Sequence, residues 1–209
     1  MTLRNEVVRG DDGRARCPWG ASTPDYVAYH DEEWGRPVAE DDRLFEKLCL
    51  EAFQSGLAWI TILRKRKNFR AAFAGFSVHA VAGFGPADVD RLMADAGIVR
   101  NRAKIDAAIA NARAAVSLQD AGETLTDVVW SHAPTRGVPA PKAFDEVKAT
   151  TPESTALAKD LKKRGFRFVG PTTAYALMQA CGLVNDHMAG CWVREEVEKE
   201  QRAVRRSRA

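Results

Sequence analysis

The sequence predicts an all-α fold. Three observations point there: apolar residues recur at helical spacing over most of the chain, prolines and capping residues stand where helices would begin, and no convincing period-2 run appears. The 209 residues, 45% of them apolar, suffice for one compact unit or two small lobes.

The elements follow in order. Asp41 or Asp42 can cap a helix to about Ser55, with Leu44, Phe45, Leu48 and Ala52 on one face. A second spans Ile60 to Phe73 and stops near Gly75. Pro86–Ala87 open a helix that Gly97 ends, and a long one runs from Asn101 to about Leu118 with Ile105, Ile109, Ala112 and Val116 in register. Thr124–His132 is a short amphipathic piece. Ala133–Lys142 holds three prolines and a glycine and reads as a loop. Pro152 opens a helix ending near Gly165, Pro171 opens one to about Cys181, and the last helix is expected to carry His187 to roughly Val204.

The unusual polar residues lie towards the two ends. Residues 60–135 read as helical scaffold, and the N- and C-terminal segments are expected to pack as one lobe within a domain of residues 17–195. Residues 1–16 form an extension expected to be flexible, and 196–209 a basic tail expected to be disordered.

No apolar run approaches the ~20 residues of a membrane span, and Met1–Arg16 lacks the apolar stretch of a secretory signal. A cytoplasmic, reducing location without a membrane partner is the default. The cysteines Cys17, Cys49, Cys181 and Cys191 do not look like a disulfide framework there. The formal net charge is only +3, but basic runs at Arg64–Lys67, Arg100–Lys104, Lys162–Arg167 and Arg202–Arg208 fit either solvated helix faces or a surface for nucleic acid.

Three patterns carry chemistry. First, His187 and Cys191 stand four apart, which on a helix puts them on one face. With Cys17 and His30 they complete a Cys2His2 set, the number a closed structural zinc site takes. Spacing alone also allows a coincidence on one helix face and a buried apolar role for Cys17. Cys49 and Cys181 fall in apolar runs and read as core. Second, Glu51 sits at the border of an apolar helix face, either snorkelling to water or facing a pocket. Gln54, Ser55, Gly56 and Trp59 follow it, the small, polar and aromatic residues a planar ligand would need. Of five tryptophans and three tyrosines, Trp19, Tyr26, Tyr29 and Trp34 crowd the stretch around Cys17 and His30, as core or as pocket. Third, Phe168–Thr172 lies between two helices. Gly170 there permits close approach of the backbone, the amides at the following helix start can bind a phosphate oxygen, and Lys162, Lys163, Arg164 and Arg167 supply charge. This is a helix–hairpin–helix arrangement suited to sequence-independent DNA contact. Ala96–Ile98, followed by Arg100, Arg102 and Lys104, is a weaker second candidate.

Six separated segments, in order over about residues 15–192, resemble the DNA-3-methyladenine glycosylase I family, a divergent group of helix–hairpin–helix glycosylases. They are Cys17–Gly20, Tyr29–Gly35, Glu51 with Gln54–Thr61, Ala96–Arg100, Arg164–Gly170 and Gln179–His187. The resemblance implies a monomeric base-excision enzyme that acts on 3-methyladenine in alkylated double-stranded DNA, with no lyase step. It implies one structural Zn2+ on Cys17, His30, His187 and Cys191. It assigns Glu51 and Tyr29 to catalysis and, with Trp59, Tyr26, Trp34 and Trp19, to the base pocket. It assigns DNA contact to Arg167, Val169, Gly170 and Thr172. Residues 1–16 and the tail after Trp192 have no counterpart in the resemblance. Asp186 is near the place where relatives in the wider superfamily carry a catalytic aspartate, but capping of the last helix is the role expected for it. A non-catalytic DNA-binding module, a zinc-stabilised adaptor and a glycosylase for another lesion are the competing readings.

Overall fold

The computed structural model describes residues 5–207. Among them are ten α-helices: α1 (Pro24–Glu32), α2 (Asp41–Gln54), α3 (Trp59–Ala72), α4 (Val78–Ala82), α5 (Pro86–Ala94), α6 (Arg102–Asp120), α7 (Leu125–Ser131), α8 (Pro152–Lys163), α9 (Pro171–Ala180) and α10 (Arg194–Ser207). The fold is mostly helical, as the periodicity indicates. The one departure in class is a two-stranded antiparallel hairpin, β1 (Val8–Arg9) with β2 (Ala15–Arg16), which pairs Val8 with Arg16. Part of the extension expected to be flexible is thus ordered on the protein, and the basic tail through Ser207 continues α10 instead of leaving the fold. Residues 1–4 and 208–209 of those segments lie outside the described residues. No described helix is long and apolar enough to cross a membrane.

Local chemistry starts most helices. Thr23, Asn101, Thr124 and Thr151 each accept a hydrogen bond from a backbone amide in the first turn that follows, satisfying donors a helix start leaves free. Pro24, Pro86, Pro152 and Pro171 occupy first-turn positions where their missing N–H costs nothing. α1 and α4 carry no periodic apolar stripe strong enough to mark them in the sequence. α3 begins at Trp59, one residue earlier than expected.

α2 is the central helix. Leu44 through Phe53 are all buried, so it has no solvent face over most of its length. It packs against α3, α6, α7 and α9. Its Phe45 and Phe53 meet Phe69, Phe73 and Phe76 beside it, Phe73 and Phe76 stacked with ring centres 5.4 Å apart. Cys49 and Cys181 are buried in this core, in line with an apolar role for both.

The aspartates at the start of α2 do not cap their own helix. The Asp41 carboxylate accepts from the amides of Leu125 and Thr126, the Thr126 hydroxyl and the Gln119 side-chain amide. Asp42 accepts from the Val78 amide. Two adjacent residues thereby cap α7 and α4. Burial pushes the Asp41 carboxyl up, but the hydrogen bonds from Thr126, Gln119 and Leu125 outweigh it and hold the group below its ordinary value.

The last turn before α10 also differs from expectation. α10 starts at Arg194, and residues 181–193 form turns. His187 and Cys191 are therefore not one turn apart on a helix.

Asp41→Ala should cost about 1–3 kcal/mol at neutral pH, the scale of lost charge-assisted bonds. Because its folded pKa is depressed, the contribution is present above the unfolded value near 3.8 and disappears as pH falls through the folded value. Denaturant melts at pH 7 and pH 3 check this: the gap between variant and parent should shrink at the lower pH.

Candidate functional site

Four side chains from the two ends of the chain meet in one buried cluster. Cys17 follows β2, His30 is on α1, and His187 and Cys191 lie on the turn before α10; their ligand atoms all fall within 4.8 Å of one another. His30 Nε2 is 3.2 Å from His187 Nδ1. Cys191 Sγ is 3.5 Å from the former and 3.6 Å from the latter, and Cys17 Sγ is 3.9 Å from His187 Nδ1. The outer nitrogens are engaged elsewhere: His30 Nδ1 lies 2.8 Å from the Asp31 carboxylate and His187 Nε2 lies 3.0 Å from the Trp34 carbonyl. Each acceptor holds the proton on that outer nitrogen and turns the inner nitrogen inward as a lone pair. Two lone pairs at that separation repel unless a cation lies between them. The donor set therefore fits a metal ion. The Cys191 thiol is lowered from its ordinary value, chiefly by the neighbouring Cys17 thiol.

The packing around the cluster leaves room for no bulk. A Cβ on Gly20 would stand 2.4 Å from His30 Cδ2, so only glycine lets the chain cross that ring. Gly182 has φ +74°, and a Cβ there would lie 2.6 Å from the Pro37 nitrogen. Asp31, besides orienting His30, accepts from the Arg16 guanidinium and the Trp192 indole.

Beside this cluster is a cavity of about 340 Å³. Trp19 and Trp34 form the common wall. They pack edge to face with ring centres 4.9 Å apart, and Trp34 in turn packs on His187 at 4.7 Å. Tyr29 and Trp59 face each other at 5.4 Å, tilted by 45°. Tyr26 also lines the space, and its hydroxyl accepts from the Ile60 amide, fixing the start of α3 and with it Trp59. All six residues expected around the ring thus meet here, and Glu51 from α2 lies among them. Phe144, Val147 and Lys148 complete the lining from the loop between α7 and α8, which no feature of the sequence marked.

Glu51 is only 6% exposed, so it does not snorkel to water. Its helix is buried on every side, which is why a residue at the border of one apolar face finds no solvent at the other. Among the described residues no hydrogen bond reaches its carboxylate. Burial pushes the acid up to about 8, with Lys47 pulling slightly the other way. The indole Nε1 of Trp59 is likewise buried without a partner. Tyr29 is raised above its ordinary value by burial and then by Glu51 and Glu33. A carboxyl and an indole N–H without protein partners, on two residues that line an aromatic cavity, suit a ring with polar edges.

Asp186 does not cap α10, because that helix starts eight residues later. It is 5% exposed, at the cavity wall, and accepts from Tyr175 Oη at 2.7 Å and Gln179 Nε2 at 2.8 Å.

In the hairpin between α8 and α9, Gly170 has an ordinary φ of −73°, and the left-handed residues are Gly165 at φ +93° and Phe168 at φ +55°. Space around Gly170 is open, so a ligand can approach its backbone. Arg167, Phe168 and Thr172 are exposed, whereas the Val169 side chain is buried. Asn111 on α6 secures the turn: its Nδ2 donates to the Arg167 carbonyl and its Oδ1 accepts from the Arg167 amide at 2.6 Å. The sequence did carry a signal for Asn111, as the polar residue on the alanine-rich buried face of α6.

A helical scaffold whose aromatic cavity ends on an unpaired carboxylate defines a protein that takes up a planar, polar-edged ring. Residues 19–195 match the family model described as methyladenine glycosylase. The chain is 51% identical over 179 residues to DNA-3-methyladenine glycosylase 1 of Escherichia coli (strain K12), covering 84% of this chain and 95% of the relative. It superposes with a TM-score of 0.82 on a crystal structure of 3-methyladenine DNA glycosylase I at 49% identity, covering 85% of this chain and 98% of that one. A variant of 3-methyladenine DNA glycosylase I in complex with 3-methyladenine gives 0.81 at 32% identity, covering 86% and 97%. The chain belongs to the methyladenine glycosylase family.

The buried acid makes a prediction about stability. The folded state keeps the Glu51 proton up to about pH 8, while the unfolded chain releases it near 4.5. Between these values the unfolded state binds fewer protons, so stability falls as pH rises. Glu51→Gln should therefore melt higher than the parent at pH 8, by on the order of 2–4 kcal/mol, and close to it at pH 4.5. Equal stabilities at both pH values would contradict a buried, raised acid.

Proposed function

We propose that the chain is a DNA glycosylase that hydrolyses the N-glycosidic bond of 3-methyladenine in alkylated double-stranded DNA and leaves an abasic site, acting as a monomer in the cytoplasm. The observation that carries this reading is the buried, unpartnered Glu51 carboxyl at the floor of the aromatic cavity.

Adenine methylated at N3 is positively charged while bonded to the sugar and leaves as a neutral base. The bond is weakened by the lesion itself, so the enzyme needs chiefly to extract the nucleotide from the stack and hold it. Tyr29 and Trp59 offer π faces to the cationic ring, with Trp19, Trp34 and Tyr26 closing the sides. Glu51 accepts from the exocyclic amino group of adenine. Guanine carries a carbonyl acceptor in that place and would meet the carboxylate oxygen with another oxygen. A cationic ring also favours the ionised form of Glu51 that the empty cavity disfavours, so the site gains most from the charged nucleotide. Water then attacks the sugar carbon. Asp186 has one oxygen committed to Tyr175 and Gln179 and serves the cavity wall in this reading. No Schiff-base lysine, and hence no lyase step, enters it.

DNA is held by the α8–turn–α9 unit acting as a helix–hairpin–helix. Amides at the start of α9, around Gly170 and Thr172, point to a phosphate, and Arg167 adds charge. Val169 contributes through its backbone, since its side chain is buried.

The metal is zinc in this reading, held by Cys17, His30, His187 and Cys191. Two imidazole nitrogens and two thiol sulfurs are a donor set that a structural zinc takes, and separations of 3.2–3.6 Å among His30, His187 and Cys191 bring three of them to one centre. Held by all four side chains, it would supply a cross-link between chain ends and no reactive water.

Glu51→Gln should release 3-methyladenine from methylated DNA on the order of 10–100-fold more slowly, the worth of one hydrogen bond to a charged group, with zinc content unchanged. Chromatography of the released bases measures this, and parental rates in the variant would sink the assignment. Elemental analysis should find one zinc per chain, lost in Cys191→Ser. A folded parent free of metal would refute the zinc site.

A further inference from the structure

The cavity has a floor and walls from the body of the protein but a roof from a loop. Phe144, Val147 and Lys148 lie on the stretch between α7 and α8, of which only Phe144–Glu146 makes a helical turn. Such a stretch has little internal structure to hold it. Among the described residues, every hydrogen bond that ties residues 142–150 to another part of the chain runs to Asn5. The Phe144 amide donates to the Asn5 carbonyl at 3.0 Å. The Asp145 amide donates to Asn5 Oδ1 at 3.1 Å, and Asn5 Nδ2 donates back to Asp145 Oδ2 at 3.0 Å. Both ends of the Asn5 amide are used, and asparagine is the residue type that can donate and accept there at once.

The arm carrying Asn5 is itself anchored. Val7 packs with Phe144 against the small buried cluster of Cys17, Met188 and Cys191. The β1–β2 hairpin that follows ends on Arg16, which is 3% exposed and bonded to both Asp12 and Asp31. The Ala15 carbonyl accepts from the Trp192 amide, and Arg14 lies over the Trp192 ring at 4.0 Å. The arm is thus fixed at its base beside the metal ligands and reaches over to the cavity roof. It lies before residue 19, where the segment matched by the family model begins.

We propose that residues 5–9 are a strap that positions the roof of the base cavity, and that Asn5 is a positioning residue that sets how tightly the base is retained. This rests on the reading of that cavity as a 3-methyladenine pocket. Asn5 touches no reacting atom; it acts through Phe144 and Val147. Its loss should affect retention and leave the bond-breaking step, which depends on Glu51 and the aromatic walls, largely intact.

Asn5→Asp sets a carboxylate against Asp145 at the tip of the strap, where Asn5 is exposed. Binding of free 3-methyladenine, followed by quenching of the cavity tryptophans, should weaken fivefold or more. In single-turnover excision the enzyme concentration at half-maximal rate should rise by a similar factor, with the maximal rate within twofold. Adding Asp145→Asn restores a donor–acceptor pair with the roles exchanged and should bring both measurements back to within twofold of the parent. Amide hydrogen exchange at Phe144 and Asp145 should speed up in the single variant and recover in the double. Parental base affinity in Asn5→Asp, or failure of Asp145→Asn to rescue it, overturns the proposal. If the parent itself binds no 3-methyladenine, the pocket reading fails, and the exchange measurement still decides whether Asn5 holds the roof.

Discussion

A helix with no solvent face is the constraint on which this molecule depends. Over Leu44–Phe53 every position of α2 is enclosed, so any polar residue there must be paired within the protein or left unmet. Glu46 is met by Arg43 and Arg70. Glu51 is not: aromatic rings line the cavity around it, and Lys47 acts on it only at a distance. The scaffold encloses the helix that carries this carboxyl: α3, α6, α7 and α9 pack on it, and Lys104 closes its C-terminal end by donating to the carbonyls of Phe53 and Ser55. A buried acid of this kind destabilises the empty fold while preparing it for a charged ring, the usual opposition between stability and function at a binding site.

The cysteine–histidine cluster and the cavity are mechanically one object. Trp19 and Trp34 touch both, and Trp34 does so twice, through its ring on His187 and its carbonyl at His187 Nε2. The chain before residue 35 and the chain after residue 181 are otherwise far apart in sequence, and closing so long a loop is entropically expensive. Fixing the four ligands about a common centre sets the position of α1, hence of Tyr29 and Tyr26, hence of the start of α3 and Trp59. A site described by its ring-binding residues alone would miss what places them.

Most of the helices were legible because their signals are local: Thr or Asn before a first turn, proline within it, a buried stripe at the helical repeat. α4 is short and uncapped, and α1, though it begins with Thr23 and Pro24, is too weakly patterned to stand out. The aromatic residues and Glu51 could be singled out by type and spacing, but whether Glu51 meets water depends on how many neighbours surround α2, a tertiary quantity. The Cys2His2 set could be composed from residue types, yet the helical spacing of His187 and Cys191 was a false guide, since that segment is a turn held by Asn185, Arg194 and the cluster itself. Asp186 illustrates the same limit: as a short acidic residue ahead of a helix it reads as a cap, and the fold gives it to Tyr175 and Gln179. Asn5 and the roof loop were illegible because their pairing spans well over a hundred residues and involves no unusual residue type.

The paired aspartates at the head of α2 also bear on motion. The amides of Val78, Leu125 and Thr126 begin two helices distant in sequence, yet all three are sealed by adjacent side chains on a third element. Fraying at the start of α2 would unseal both helix starts in the same event, so these segments share one opening transition instead of breathing independently. α2, α4 and α7 are in this sense latched together from one point.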